Sequence, residues 1–350
     1  MAENLTADQV VADPAWLPYK VRDESRSLEL VHLSRDQLKD LFFLDKRSHP
    51  DRWNNVSGDA PRVEVPVSAV ADRASTAASG QCHYIFHSAF CCSTLMSRAL
   101  DIEGVACVLR EPRPLHELVV KMTGSDLTDQ QKIALHLVLD LMQRPRLPGE
   151  KTIIKPANLA NPLIDRIMER QPNARALLMY CSLPAFLLAI ARKRRWSWAR
   201  NFAAFYRSHL EFETEQTRDL LLLTDLQMAA FLWLQQQAQF ARLVREPPAG
   251  RVATLRADLF VARPTEALFA AAALFDLPLD EDQAAAITGG PLFQGHAKSS
   301  GEIFDEARQK RNDALVKLAF GPEIEQAVAW GEAVAAEASI PLELSAPLIG

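Results

Sequence analysis

The stretch YIFHSAFCCSTLMSRALD, residues 84–101, decides the fold. It begins with the apolar and aromatic residues of a buried strand, passes through a short run of small and polar residues, and continues with the spacing of an amphipathic helix. A strand, a tight loop and a helix N-terminus together form an anion site, because unpaired backbone N–H groups and the positive end of the helix dipole converge there. The segment therefore predicts that this loop binds a phosphate group.

Further apolar runs downstream predict the rest of a sheet. Short β-rich runs alternate with helix-length amphipathic segments, a pattern typical of parallel strands joined by right-handed crossovers. The predicted strands are CHYIFH (82–87), VACVL (105–109), KTIIK (151–155), RALLMY (175–180) and RVATLR (251–256). We therefore expect an α/β fold in which helices cover both faces of a parallel sheet of about five strands, giving three layers.

The remaining segments predict the domain organisation. Residues 1–75 are rich in Pro, Asp and Arg and contain one helical pattern, begun by a Ser34 cap, so we expect an N-terminal arm packed on the main domain. Residues 76–340 form that domain, and the long helical stretch 184–248 is interpreted as an insertion or lid over one end of the sheet. The C-terminal region is expected to be mostly helical, with a loop around residues 288–301 and two final helices ending near residue 336.

Composition excludes several function classes. Of 350 residues, 48% are apolar, and the formal charge is -5, which gives no overall attraction to nucleic acid or to an anionic membrane. No segment combines the length and the apolar character of a membrane span. Five cysteines without CxxC spacing favour reduced thiols and a cytoplasmic location, with neither a disulfide framework nor a zinc site: Cys82, Cys91, Cys92, Cys107 and Cys181. The oligomeric state is not readable from the sequence.

Candidate binding residues follow the first predicted strand, since ligands of open parallel sheets bind beyond the carboxyl ends of the strands. The loop offers His87, Ser88, Cys91, Cys92, Ser93 and Thr94. In the nucleotide-binding pattern GxxxxGK[ST], the positions of both glycines and of the lysine carry other residues here. An ordinary kinase or NTPase is therefore not expected.

The order and spacing of HSAFCCSTLMSRAL, VLREP, TIIKPAN and RALLMYCSLPAFLLAIARKRR resemble bacterial members of the sulfotransferase family, roughly from residue 84 to residue 279. The resemblance implies a P-loop-like fold that uses 3'-phosphoadenosine 5'-phosphosulfate as co-substrate. It also implies a sulfuryl transfer to a hydroxyl or amine of a small-molecule acceptor. No metal is expected.

The resemblance assigns roles by position. In the family's phosphosulfate loop, Cys91 takes the place of a serine, Cys92 that of a glycine, and Ser93 and Thr94 those of two threonines, while the usual basic position falls on Phe90. The cation for the leaving group is then expected from Lys155, Arg98 or Arg110. For the 3'-phosphate, the candidates are Ser182 after the fourth strand, Arg192 with the three basic residues that follow it, and Lys298 in a late loop.

Candidate catalytic residues lie beyond the second and third strands. Glu111 is the expected base, with His116 behind it, and Lys155 ends a buried strand where an unpartnered lysine is rare. The resemblance supports Glu111 because family members commonly carry the base after this strand.

Other interpretations stay open. Ser93 or Thr94 could simply cap a helix above two buried thiols, and a cysteine at a helix N-terminus could be a nucleophile with a lowered pKa. The chain could also be a catalytically inactive nucleotide- or protein-binding relative of the fold, or an atypical phosphotransferase.

Overall fold

The computed structural model describes residues 6–39, 41, 56, 59–77, 80–122, 126–246, 250–294 and 306–350. Eight strands lie in this part of the chain: β1 (Trp16–Arg22), β2 (Ser27–His32), β3 (Arg62–Pro66), β4 (Cys82–His87), β5 (Ala106–Arg110), β6 (Lys151–Lys155), β7 (Ala176–Tyr180) and β8 (Val252–Arg256). The last five form a parallel sheet in the spatial order β5-β6-β4-β7-β8. The α/β fold class with about five parallel strands is confirmed.

The helices of the described chain, numbered in order, are α1 (Ala7–Ala12), α2 (Arg35–Leu38), α3 (Val67–Ala77), α4 (Ser93–Ala99), α5 (Arg113–Val120), α6 (Asp129–Met142), α7 (Ile164–Arg170), α8 (Leu183–Arg192), α9 (Trp196–Tyr206), α10 (Asp225–Arg245), α11 (Ala257–Ala262), α12 (Pro264–Leu274), α13 (Glu281–Thr288), α14 (Pro291–Gln294) and α15 (Glu306–Glu337). None of them has the length and apolar character needed to cross a membrane.

Two apolar cores cover the two faces of the parallel sheet. Alternate residues of β4 point to opposite faces, so that Tyr84 and Phe86 lie in one core and Ile85 in the other. The first core also holds buried side chains of α3, α6 and the N-terminal strands, and the second holds those of α4, α8, α10 and α12. Because both faces are covered, the strands are nearly continuous apolar runs, and the three-layer arrangement follows.

The order of the strands reverses at β4. The chain passes from β4 to β5 and β6 on one side of it and then crosses to β7 and β8 on the other. In an open parallel sheet this reversal leaves a crevice beyond the carboxyl end of the strand concerned, where ligands bind. The loop after β4 therefore lies at the position where a binding site is expected.

Two terminal regions differ from expectation. Residues 16–66 contain a three-stranded antiparallel sheet, β1-β2-β3, whose short strands are hidden in the sequence by Pro18 and by charged residues. Ser34 does cap α2, as expected, through a reciprocal pair of hydrogen bonds with Gln37. The prediction of two final helices at the C-terminus is wrong. α15 is one helix of 32 residues that continues through Pro322.

Candidate functional site

The loop between β4 and α4 turns through left-handed backbone conformations without using glycine. Ala89, Phe90 and Cys92 have φ values of 70°, 52° and 61°. A left-handed residue other than glycine costs about 1–2 kcal/mol, because its Cβ crowds the neighbouring carbonyl. Cys92 stands where the sulfotransferase resemblance expects a glycine, and its backbone takes the conformation that glycine adopts most easily. The loop therefore has a phosphate-binding shape without the usual residue types.

Backbone N–H groups of this loop lack carbonyl partners, although the N–H of Ser93 faces the Cys91 sulfur. No carbonyl oxygen of the described chain accepts a hydrogen bond from the N–H groups of residues 90–95. A left-handed residue followed by a right-handed one, as Cys92 is followed by Ser93, turns successive N–H groups toward one side and makes an anion-binding concavity. The backbone thus fits a phosphate group.

The hydroxyl groups near the loop are buried. Ser93 and Thr94 lie in the first turn of α4 with 5% exposure each, and the residue that caps this helix is Cys92, which makes no side-chain cap hydrogen bond. The interpretation of Ser93 or Thr94 as a plain N-cap is therefore wrong. Ser88 Oγ is buried beside the Cys181 thiol and has no nitrogen or oxygen partner in the described chain, so it can donate to a ligand that reaches it.

Burial of the two thiols of the loop disfavours their thiolate forms. Burial raises the pKa of Cys91, and it raises the pKa of Cys92 to about 11, with the neighbouring Cys91 adding to the effect and Lys193 opposing it. A thiol with a raised pKa is protonated near neutral pH and reacts slowly. The alternative of a cysteine nucleophile at this helix N-terminus is therefore not favoured.

Three chargeable side chains meet beside the loop, at the carboxyl ends of β4, β5 and β6. Lys155 Nζ lies 2.9 Å from Glu111 Oε1 and 3.0 Å from His87 Nε2. Lys155 is fully buried, and Glu111 and His87 are each 6% exposed. A lysine and a carboxylate at this depth require each other, because either charge alone would be buried without compensation. The sequence named all three residues, and the structure brings them into one cluster.

Glu111 is held by its backbone as well as by Lys155. Its φ is 56°, and its N–H donates to Lys155 O at 2.6 Å. The chain thereby turns at the end of β5 and directs the carboxylate toward β6. His116, on α5, has a pKa lowered by burial, and its Nδ1 is buried with no hydrogen-bond partner in the described residues. Its ring is therefore neutral near pH 7.

Two of the other candidate cations have carboxylate partners. Arg110 Nη2 lies 2.5 Å from Asp101 Oδ2 in the protein interior, and Arg192 Nη1 lies 2.7 Å from Asp313 Oδ1 of α15. Ser182 is exposed at the N-terminus of α8 and makes no cap hydrogen bond with its side chain. Lys298 lies outside the described residues.

Lys193 is the basic residue of this region that reaches the loop. Its Nζ lies 4.7 Å from the centroid of the Phe90 ring, and that ring also contacts Phe186 and Trp198. A cation held over an aromatic face is stabilised by the ring quadrupole. A positive charge therefore stands next to the loop position where the resemblance expects a basic side chain.

A network of buried amide side chains is hydrogen-bonded to the backbone of His87. The sequence analysis did not predict it. Asn161 Nδ2 donates to His87 O at 3.2 Å and lies 3.4 Å from Gln236 Oε1, while Gln239 Nε2 donates to Asn161 O at 2.8 Å. Gln236 and Gln239 lie on α10 and are at most 2% exposed. The available signal was the polar run QQQAQ inside an apolar helix, which predicts buried partners for the amides.

A pocket of about 150 Å³ adjoins this network at Gln239. Its other walls include Pro162, Asp165, Tyr206 and Glu211. Asp165 and Glu211 are both bound by Arg242, at distances of 2.8–3.1 Å. The described residues contain no cluster of His, Cys, Asp and Glu side chains able to hold a metal ion.

No family model and no curated protein matches the sequence. Among solved structures, the fold is similar to a sulfotransferase domain from the curacin biosynthetic pathway, at 14% sequence identity and a TM-score of 0.40. The match covers 68% of this chain and 89% of that domain. At this distance the likeness concerns the course of the chain, so a function has to come from the chemistry of the site.

Proposed function

We propose that this protein is a sulfotransferase-like enzyme. It transfers a sulfuryl group from 3'-phosphoadenosine 5'-phosphosulfate to a hydroxyl or amine of a small molecule. The observation that carries the proposal is the set of N–H groups of residues 90–95, which lie at the strand-order reversal beside a buried lysine–carboxylate pair. We also place the protein in the cytoplasm, because all five cysteines are unpaired thiols.

The loop binds the 5'-phosphate of the co-substrate. Backbone N–H groups of the loop donate to the phosphate oxygens, and the hydroxyls of Ser93, Thr94 and Ser88 add donors close by. Lys193 supplies a positive charge at the rim of the loop from its place over Phe90. The missing loop lysine is thereby replaced by backbone donors and by a cation from another helix.

Lys155 and Glu111 serve the transfer itself. The acceptor oxygen or nitrogen attacks sulfur in line, the bond between sulfur and the bridging oxygen breaks, and the electron pair leaves with the phosphate. Lys155, oriented by Glu111, stabilises the charge that develops on that bridging oxygen. Glu111 takes the proton released by the acceptor, and His116 stands behind it as a neutral group.

Nucleotide binding tests the first half of the proposal. In a thermal-shift titration, 3'-phosphoadenosine 5'-phosphate should raise the melting temperature, whereas ATP or GTP with magnesium should not, since only a ligand of the native state stabilises it. The double variant Ser93→Ala, Thr94→Ala should lose the response. Ser97→Ala is the matched control, because this hydroxyl on the same helix donates to Thr94 O at 2.8 Å and is fully buried. Unchanged affinity in the double variant would contradict the assignment.

Turnover tests the second half. Lys155→Ala should reduce the rate of sulfuryl transfer more than the affinity for the co-substrate, because the lysine acts on charge that appears only in the transition state. Equal losses of both would mean that the lysine only binds.

A second candidate is a nucleotide- or protein-binding relative without catalysis. It is favoured by the burial of Lys155, which is paired with Glu111 inside the protein. Binding of the bisphosphate without transfer to any of a panel of phenols, alcohols and amines would support it. A response to ATP with magnesium alone would instead support an atypical phosphotransferase.

A further inference from the structure

Ala89 is the first left-handed residue of the loop, and its backbone is held by a side chain. The N–H of Ala89 donates to His87 Nδ1 at 3.1 Å. In the described chain no other side-chain nitrogen or oxygen accepts from an N–H group of residues 88–92. Ala89 and Phe90 are both left-handed, and the first of them is hydrogen-bonded to His87, the last residue of β4.

His87 is itself fixed on three sides. Its ring is buried, Nε2 lies 3.2 Å from Pro156 O and 3.0 Å from Lys155 Nζ, and its carbonyl oxygen accepts from Asn161. Because Nδ1 accepts the Ala89 N–H, the proton of the neutral ring is on Nε2, which donates it to Pro156 O and does not accept from Lys155 Nζ; the lysine donates to Glu111 instead. The ring thus joins the loop to the end of β6.

We propose that His87 is a positioning residue that replaces the missing loop glycines. Glycine adopts left-handed conformations freely, whereas alanine and phenylalanine need a contact that holds them there. His87 Nδ1 provides that contact at Ala89 and so directs the following N–H groups toward one point. The inference rests on the proposed function for the identity of the ligand, but not for the conformation of the loop.

Two conservative substitutions distinguish the contribution of Nδ1 from that of Nε2. His87→Asn places an amide oxygen at the position of Nδ1, and His87→Gln places an amide nitrogen near the position of Nε2. Titrated with 3'-phosphoadenosine 5'-phosphate, His87→Asn should keep most of the affinity. His87→Gln and His87→Leu should lose on the order of tenfold, the effect of one hydrogen bond. Equal affinities of the Asn and Gln variants would overturn the proposal.

A second-site change gives an independent test. Adding Ala89→Gly to His87→Leu should restore the affinity, because glycine needs no support in a left-handed conformation. A residue that touched the nucleotide directly would not be rescued in this way. Failure of the glycine to restore binding, with the double variant folded by circular dichroism, would overturn the proposal.

Hydrogen exchange separates this inference from the proposed function. Without any ligand, the Ala89 amide should be protected in the wild type and in His87→Asn, and should exchange at least several-fold faster in His87→Gln. If the wild type does not bind the bisphosphate, the proposed function fails, while the exchange rates still test the role of His87. Equal protection of Ala89 in the Asn and Gln variants would overturn that role.

Discussion

The two edges of the central sheet use the same residue types in different ways. β4 carries a histidine near each end and β6 a lysine at each end. At the amino edge, Lys151 Nζ pairs with the largely exposed Asp276 at 2.7 Å, and the ring of His83 stacks on Phe275. At the carboxyl edge, Lys155 contacts both His87 and Glu111 inside the protein.

This difference makes the carboxyl edge the better candidate for a functional site. Lys151 is paired with a carboxylate that solvent reaches, and the ring of His83 is neutral near pH 7, so replacing either residue leaves no buried charge without a partner. Lys155 and Glu111 depend on each other, and they lie beside a loop whose N–H groups 90–95 have no carbonyl partner in the described chain. Interdependent charged groups at a sheet's switch point are typical of a functional site.

The largest expected difference between the edges is in the lysines. Lys155→Met should lower the free energy of unfolding by about 3–5 kcal/mol, because it leaves the Glu111 carboxylate buried without a counter-charge. Lys151→Met should cost at most about 1 kcal/mol, since Asp276 can be solvated. Urea unfolding followed by circular dichroism measures both.

The double variant Lys155→Met, Glu111→Gln should recover part of the loss, because it removes both charges of the pair. Equal losses for Lys155→Met and Lys151→Met would erase the contrast between the edges.

A second expected effect concerns pH and the amino edge. Burial lowers the pKa of His83 from 6.5 to about 4, with the charges of Lys151 and Arg175 adding to the shift. The unfolded chain binds a proton near pH 6.5, but the native protein does so only near pH 4. The stability contributed by the neutral ring is therefore present above pH 6.5 and is lost as the pH falls through 4, in total about 3 kcal/mol.

His83→Asn isolates this contribution. The amide oxygen can still accept the Arg175 N–H that His83 Nδ1 accepts at 3.1 Å, but it does not titrate in this range. The free energy of unfolding, measured from pH 7.5 down to pH 4.5, should fall less steeply in the variant than in the wild type. Parallel pH profiles would show that His83 does not set the acid sensitivity of this edge.

The smallest expected effect is at the loop. Ala89→Gly should raise the free energy of unfolding by about 1 kcal/mol, because glycine has no Cβ to crowd a left-handed backbone. The same substitution at Ala285, which is exposed inside α13, should lower it by about 1 kcal/mol, the usual cost of glycine in a helix. Chemical unfolding of the two variants compares them. A loss at both positions would mean that the loop is not strained at Ala89.

Much of the parallel sheet was predictable, because a strand buried on both faces is a continuous apolar run that needs no knowledge of its partners. Each of its five strands lies within one residue of the prediction, for example KTIIK at Lys151–Lys155. The antiparallel β1-β2-β3 sheet was missed for the opposite reason. Strands with one solvated face and a proline, as in β1, give a weak local signal.

The candidate site was predictable in position but not in its contacts. The residue order alone placed His87, Glu111 and Lys155 at the same edge of the sheet, because the carboxyl ends of parallel strands share one edge. It did not show that Arg192 pairs with Asp313, 121 positions further on, or that Cys92 rather than Ser93 caps α4. A basic run looks the same whether its charges bind a ligand or a carboxylate.

The sequence by itself determined the sheet, its switch point and the chemical groups at the loop, since these follow from local periodicity and from the direction of each strand. Only the tertiary structure decided which charges are compensated and which N–H groups are left for a ligand. Ion pairs and hydrogen bonds depend on distances of a few ångströms between residues far apart in the chain, and those distances exist only after the layers have packed.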